Sequence, residues 1–127
     1  MFKIDHIDHV ALAVRDLNRS VQWYQEVLGL ERRYQEAWGN VPTMMCAGNT
    51  CIAFFPTATS NPAATPNDNT IAMWHLAFRV SRKNFEQAQR ELQNRVIAFE
   101  FEDHDISHSI YFSDPDGYRL EITTYEL

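Results

Sequence analysis

Several absences narrow what this 127-residue chain can do. It has no basic run, and its 11 Lys and Arg are outnumbered by 17 Asp and Glu, for a net charge of -6. Nucleic acid and anionic membrane surfaces both demand clustered cations, so neither is expected as a partner. No stretch approaches the ~18 apolar residues of a membrane span. The opening residues MFKIDHIDH lack the apolar core of a signal peptide. Cysteine is scarce: Cys46 and Cys51 lie five apart, without the CxxC spacing of a zinc knuckle or a redox motif. They are expected to be free, buried thiols in a protein of the reducing cytoplasm.

What is present has the profile of one soluble domain, with 45% hydrophobic and 22% charged residues. Residues 4–14, IDHIDHVALAV, alternate and are rich in branched side chains, which predicts a strand. DLNRSVQWYQEVLGL follows. Asp16 is a candidate N-cap, Leu17, Val21, Tyr24 and Leu28 form one apolar helical face, and Gly29 suits the left-handed position past the helix end. LERRYQEAW, PTMMCA and TCIAFFP are expected to be three short strands. Residues 57–70, rich in Pro, Asn and Thr, are expected to be a linker.

Beyond the linker the order repeats. MWHLAFRV predicts a strand, and SRKNFEQAQRELQNR a helix with Phe85, Ala88 and Leu92 inward. IAFEFE, SIYFS and YRLEITTY predict three more strands, with a turn at 114–117. His9-Val10-Ala11-Leu12-Ala13-Val14 aligns with His75-Leu76-Ala77-Phe78-Arg79-Val80 at an offset of 66 residues. Such self-similarity dictates architecture. The expected fold is α+β: two tandem βαβββ modules, about 4–56 and 71–125, in a single domain over 1–127. Their sheets should pair into one cupped mixed sheet with the helices on its outer face.

The repeat also marks a candidate site. Histidine opens the equivalent strand of each half, so a pseudo-twofold relation would bring His9 and His75 together. Glu121 lies in the last strand between Leu120 and Ile122, so it faces away from those apolar neighbours. A carboxylate there is costly unless paired or metal-bound. Two imidazoles and one carboxylate suit one divalent ion of Fe, Mn, Ni, Co or Zn and leave coordination positions open for chemistry.

IDHVALAV, DLNRSVQWYQEVLGL, WHLAFRV and SIYFSDPDGYRLEI resemble the glyoxalase, bleomycin-resistance and extradiol-dioxygenase group, the vicinal oxygen chelate superfamily. The resemblance spans nearly the whole chain, and DPDGYRLEI is its most specific part. It implies the same ligands: His9, His75 and Glu121. It also implies a small-molecule substrate chelated through neighbouring oxygens, and in many members a homodimer, with modules that can swap across it.

Within that group the residues discriminate. Glyoxalase I-like lyases carry a fourth ligand, a Glu, at the slot matching Ala53, and no acidic residue occurs from Cys46 to Pro66. The three-ligand extradiol dioxygenases carry a Tyr and a His upstream of the ligand Glu. Tyr111 fits that signature and His104 lies near its histidine, which makes both candidate catalytic residues. A solvated loop over the acidic stretch EFEDHDISH is the plainer expectation for both His104 and His108. Fosfomycin-resistance enzymes share the triad but need cations for a phosphonate; the C-terminal TTYEL offers none, leaving Arg79 as a candidate anion contact. Bleomycin-resistance-type relatives bind planar ligands without catalysis, and the aromatics Trp38, Phe54, Phe55 and Trp74 would suit a cleft. Phe55, Trp74 and Arg79 are the expected substrate contacts.

Overall fold

A computed structural model of the chain describes every residue except 67 and 68, which lie within the expected linker. Compact packing divides the chain into two units, Met1–Ala63 and Ala64–Leu127. The strands hydrogen-bond as two four-stranded mixed sheets, one in each unit. None of the helices among the described residues is long and apolar enough to cross a membrane.

The first unit runs β1 (His9–Val14), α1 (Leu17–Leu28), β2 (Glu31–Arg33), α2 (Gln35–Trp38), β3 (Thr43–Ala47) and β4 (Thr50–Pro56), with sheet order β1-β4-β3-β2. The β1–β4 pairing is parallel and the other two are antiparallel. Helix α1 starts where the Asp16 carboxylate accepts the Arg19 backbone N–H at 3.1 Å. It ends at Gly29, whose φ of 66° lets its own N–H and that of Leu30 turn back to Gln25 and Tyr24 carbonyls. Its inward face is anchored by Tyr24, fully buried with its ring 5.0 Å from that of Phe54. By strand parity Leu12, Val14, Met45, Ile52 and Phe54 face this helix. His9, Ala11, Met44, Cys46, Cys51, Ala53 and Phe55 occupy the other face.

The second unit runs β5 (Leu76–Arg79), α3 (Arg82–Asn94), β6 (Glu100–Asp103), β7 (His108–Ser113) and β8 (Arg119–Thr124), with order β5-β8-β7-β6. The Ser81 hydroxyl accepts the Asn84 N–H and starts α3, whose Phe85 and Leu92 are buried. Ile110, Phe112, Leu120 and Ile122 form the sheet's side of that core. His75, Ala77, Arg79, Ser109, Tyr111, Arg119 and Glu121 fall on the opposite face by parity.

Three expectations change. LERRYQEAW is not one strand: Tyr34 takes a left-handed φ of 66°, which ends β2, and the chain winds into α2 with the Trp38 ring 5.0 Å from that of Tyr34. Residues 4–8 are exposed and outside β1. Cys46 and Cys51 are not free thiols. They are direct cross-strand partners in the β3–β4 hairpin, their Cα atoms 4.0 Å apart, and they form a disulfide. The spacing of five hid this, because only the two-residue turn at Gly48-Asn49 places the two opposite each other. Gly48 provides the positive φ, 56°, that so tight a hairpin turn requires.

Candidate functional site

Glu121 sits mid-strand in β8, directly opposite Tyr111 on β7 and Ala77 on β5. It is 8% exposed, and a carboxylate that buried requires partners. It has two. Its Oε1 lies 3.0 Å from His75 Nε2, and its Oε2 accepts the Ser109 hydroxyl at 2.6 Å. The Ser109 hydroxyl oxygen also lies 3.0 Å from Thr123 Oγ1. The Tyr111 ring packs edge-on to the His75 ring with centroids 5.7 Å apart. His104, in the turn between β6 and β7, places Nε2 3.0 Å from the Tyr111 hydroxyl. Four of the expected residues, His75, Glu121, Tyr111 and His104, therefore converge within the second unit.

The strand ends are fixed by local chemistry. Asp114 is buried, and its Oδ1 accepts the backbone N–H groups of Asp116 and Tyr118, both at 2.9 Å. Gly117, with φ of 91°, completes the turn. That closes the DPDG segment tightly and delivers β8 in the register that pairs Glu121 with Tyr111.

The Tyr111 phenol has its pKa raised above the ordinary value of 10.0. Burial is the largest cause, and the adjoining Glu121 carboxylate adds to it by repelling a phenolate. Tyr111 thus stays protonated at neutral pH and serves as a hydrogen-bond donor. A raised folded-state pKa contributes stability that is complete below the unfolded value and is lost as pH climbs through the folded one. Tyrosinate absorbance should therefore include a phenol titrating above pH 10 that Tyr111→Phe removes. Stability above pH 10 should fall more steeply in the natural protein than in that variant.

In the first unit His9 opens β1. Its Nδ1 is 2.8 Å from the Asp8 carboxylate, which holds the ring and leaves Nε2 as the available donor. A carboxylate on the far ring nitrogen is the usual support of a metal-binding histidine. Strand register also relates the two repeats. Ala11 pairs with Ala53, as Ala77 pairs with Glu121, so Ala53 is the repeat counterpart of Glu121 and carries no donor. Among the described residues no three His, Cys, Asp or Glu side chains gather as a metal cluster. The pair His75–Glu121 and the lone His9 belong to separate units.

The remaining residues separate. Phe55 is 40% exposed and Trp74 64% exposed. Phe54 is fully buried against Tyr24 and is removed from any cleft, because alternation puts it on the helix side of β4. Arg79 lies over the Tyr125 ring at 4.5 Å, on the Glu121 face. His108 is half-buried rather than solvated. Its Nδ1 stands 2.8 Å from an Arg82 nitrogen and its ring 5.2 Å from that of Phe101, on the helix side and away from Glu121. Sequence reasoning passed over Ser109, Asp8 and Arg119. The parity of SIYFS, which puts Ser109 and Tyr111 on one face, was the available signal for the first. The acid preceding His9 was the signal for the second. Arg119, two residues before Glu121 on the same face, sets its guanidinium 4.8 Å from the Tyr111 ring centroid.

Comparison with known proteins finds that the family described as the Glyoxalase/Bleomycin resistance protein/Dioxygenase superfamily matches residues 6–122. The chain is 29% identical over 125 residues to metallothiol transferase FosB of Staphylococcus epidermidis, covering 96% of this chain and 83% of that one. It is also 29% identical over 123 residues to catechol-2,3-dioxygenase of Bacillus subtilis, covering 92% of this chain and 40% of the longer enzyme. Among solved structures, a glyoxalase/dioxygenase from Nostoc punctiforme superposes with a TM-score of 0.78 at 26% identity, over 94% of this chain and 90% of that one.

Proposed function

Because the chain belongs to the glyoxalase, bleomycin-resistance and dioxygenase superfamily, we propose that it is an enzyme using one divalent metal ion held by His9, His75 and Glu121. Its substrate is a small anionic molecule presenting two neighbouring oxygens. One observation carries the reading: His75 Nε2 and Glu121 Oε1 stand 3.0 Å apart on the open face of the second sheet. Two donor atoms each about 2.1 Å from a common ion, and at right angles about it, are about 3.0 Å apart. His9 is the third ligand, from the equivalent strand of the first repeat and with its ring held by Asp8. The three come from one chain or from two copies of it in a homodimer. The ion supplies Lewis-acid polarisation of a bound oxygen.

The chain's own groups do the rest. Ser109 holds Glu121 through Oε2, which would leave Oε1, beside His75 Nε2, to hold the ion. The protonated Tyr111 donates to an oxygen that gains negative charge, and His104 on that hydroxyl exchanges its proton with solvent. Arg79 and Arg119 place two guanidinium groups on the same face as Glu121, which suits an anionic substrate. Phe55 and Trp74 offer apolar surface for its carbon skeleton.

These cations and the metallothiol transferase relative favour transfer of a thiol to an oxygen-chelating anion. The Tyr111–His104 pair and the catechol-2,3-dioxygenase relative favour a second reading, ring cleavage of a catechol with Fe(II). Ala53 argues against a glyoxalase I-like lyase, since that slot lacks the fourth ligand.

One experiment separates them. Chelated protein is reloaded with Mn(II), Fe(II), Ni(II) or Zn(II). Thiol consumption with an epoxyphosphonate, oxygen uptake with catechols and isomerisation of hemithioacetals are then followed. Thiol consumption only after reloading is expected. Oxygen uptake confined to the Fe(II) form selects the second reading. Full turnover after exhaustive chelation rules out both. A metal-free protein whose ligand affinity is unchanged in His75→Ala is instead a bleomycin-resistance-type binder.

A further inference from the structure

Among the described residues, one buried side-chain nitrogen or oxygen has no hydrogen-bond partner: Nε of Arg32. Buried N–H donors are almost always satisfied, so an orphan in such a position calls for an acceptor. Arg32 pairs with Met45 on β3, which puts its side chain on the helix side of the edge strand β2. A stem laid over the core beneath α1 would by itself leave the guanidinium in water. Here Nε is buried instead. The hydrogen-bond partner of the guanidinium is a neutral one, the Asn40 side-chain oxygen at 3.0 Å, so its charge is not matched by that contact. Asn40 is in turn held by the buried Thr43, whose hydroxyl donates to its carbonyl.

Arg32 lines a cavity of about 370 Å³ at the end of the first sheet where β1 and β4 finish. Arg15, Asp16, Asn18 and Asn40 line it as well. Two guanidinium groups against one carboxylate leave the cavity positive, in a chain whose net charge is -6. That carboxylate, Asp16, is already occupied as the N-cap of α1, where it accepts the Arg19 N–H. The first turn of α1 borders the cavity and adds its partial positive charge. The cavity is on the helix side of the sheet, because Thr43 and Pro56, which also border it, pair with Phe54 and Val14. His9 belongs to the opposite face.

We propose that this cavity is a binding site for a phosphate-type oxyanion. Tilting the guanidinium of Arg32 off Asn40 turns its Nε–H and a terminal N–H together toward the ligand. That planar fork matches two oxygens of an oxyanion. Arg15 takes a third oxygen and the Asn18 amide a fourth. A tetrahedral anion has an oxygen for each of these donors, whereas a planar carboxylate has two oxygens and serves fewer of them. No bond is made or broken. The anion supplies the negative charge that Arg32 lacks, and the site needs none of His9, His75 and Glu121.

The test uses the full chain and inorganic phosphate as the probe, in a calorimetric titration. One phosphate per chain is expected, with acetate about 10-fold weaker or more. Arg32→Lys keeps the charge and much of the stem but removes the fork, and should weaken phosphate binding by about 10-fold. Asp16→Asn keeps the helix cap, since Asn serves that position as well as Asp does, and removes the carboxylate of the cavity. Phosphate affinity should rise by about 3-fold. Glu121→Gln should leave it unchanged, which separates this site from any anion held through a metal. In the natural protein, phosphate should also slow modification of Arg32 and Arg15 by an arginine-selective dicarbonyl, read by peptide mass. The exposed Arg90 on α3 should react as before. Absence of saturable binding overturns the proposal. So does an affinity that Arg32→Lys and Asp16→Asn both leave unchanged, one lost in Glu121→Gln, or acetate binding as tight as phosphate. If Arg32→Lys does not fold, as judged by circular dichroism, Asp16→Asn and the protection of Arg32 decide.

Discussion

Glu121→Gln should lower divalent-metal affinity by about 100-fold or more, above the 10–100-fold typical of losing a group that merely supports a ligand. The substitution keeps shape and size, so packing between Leu120 and Ile122 survives. It removes the negative charge that attracts the ion and replaces one donor oxygen by an amide. The Ser109 hydroxyl still finds an acceptor in the amide oxygen, which keeps the strand pairing intact. His75 loses its charged neighbour at 3.0 Å. Calorimetric titration with Mn(II) or Zn(II) measures the effect, and turnover should fall with the affinity. An unchanged melting temperature in the metal-free form separates lost ligation from lost folding. Undiminished metal binding would mean that Glu121 is only a buried carboxylate satisfied by Ser109 and His75.

Phe54→Ala and Phe55→Ala should differ sharply although the residues are adjacent. Phe54 is fully buried with its ring against Tyr24, so truncation leaves a cavity in the core beneath α1. The expected loss is about 3–5 kcal/mol, the range for deleting a buried aromatic ring. Phe55 is 40% exposed on the opposite face, and its truncation should cost under about 1 kcal/mol. Its effect should appear in substrate affinity. Urea unfolding of both variants, followed by the intrinsic fluorescence of the tryptophans, measures the first difference. Equal destabilisation by both would contradict the two-faced arrangement of β4.

The contrast between these neighbours shows what a linear reading captures. Alternation in IDHIDHVALAV predicted a strand of which the last six residues form β1, and the Asp16 and Gly29 signals marked the limits of α1, because both are local properties of consecutive residues. The repeat of HVALAV in HLAFRV foretold the second unit, and the turn at 114–117 was written in its Asp, Pro and Gly. What escaped depended on partners distant in the chain. The disulfide needed the β3–β4 register. The burial of Phe54 needed the position of Tyr24. The partnership of Ser109 with Glu121 spans 12 residues and two strands. His108 was assigned to solvent from its acidic surroundings, and only the approach of Arg82 from the start of α3 shows it half-buried.

The turn that Asp114 organises carries a constraint on how this gene can change. Strand faces alternate with a period of two, so inserting or deleting one residue between Ser113 and Arg119 would exchange the two sides of β8. Leu120 or Ile122 would then take the place of Glu121 beside His75, and the carboxylate would be driven into the helix-facing core. Substitutions in DPDG that preserve its length leave that arrangement in place. Drift in the identity of these residues is therefore tolerable, whereas drift in their number is not. A single-codon indel here would part Glu121 from His75 while both residues were still encoded.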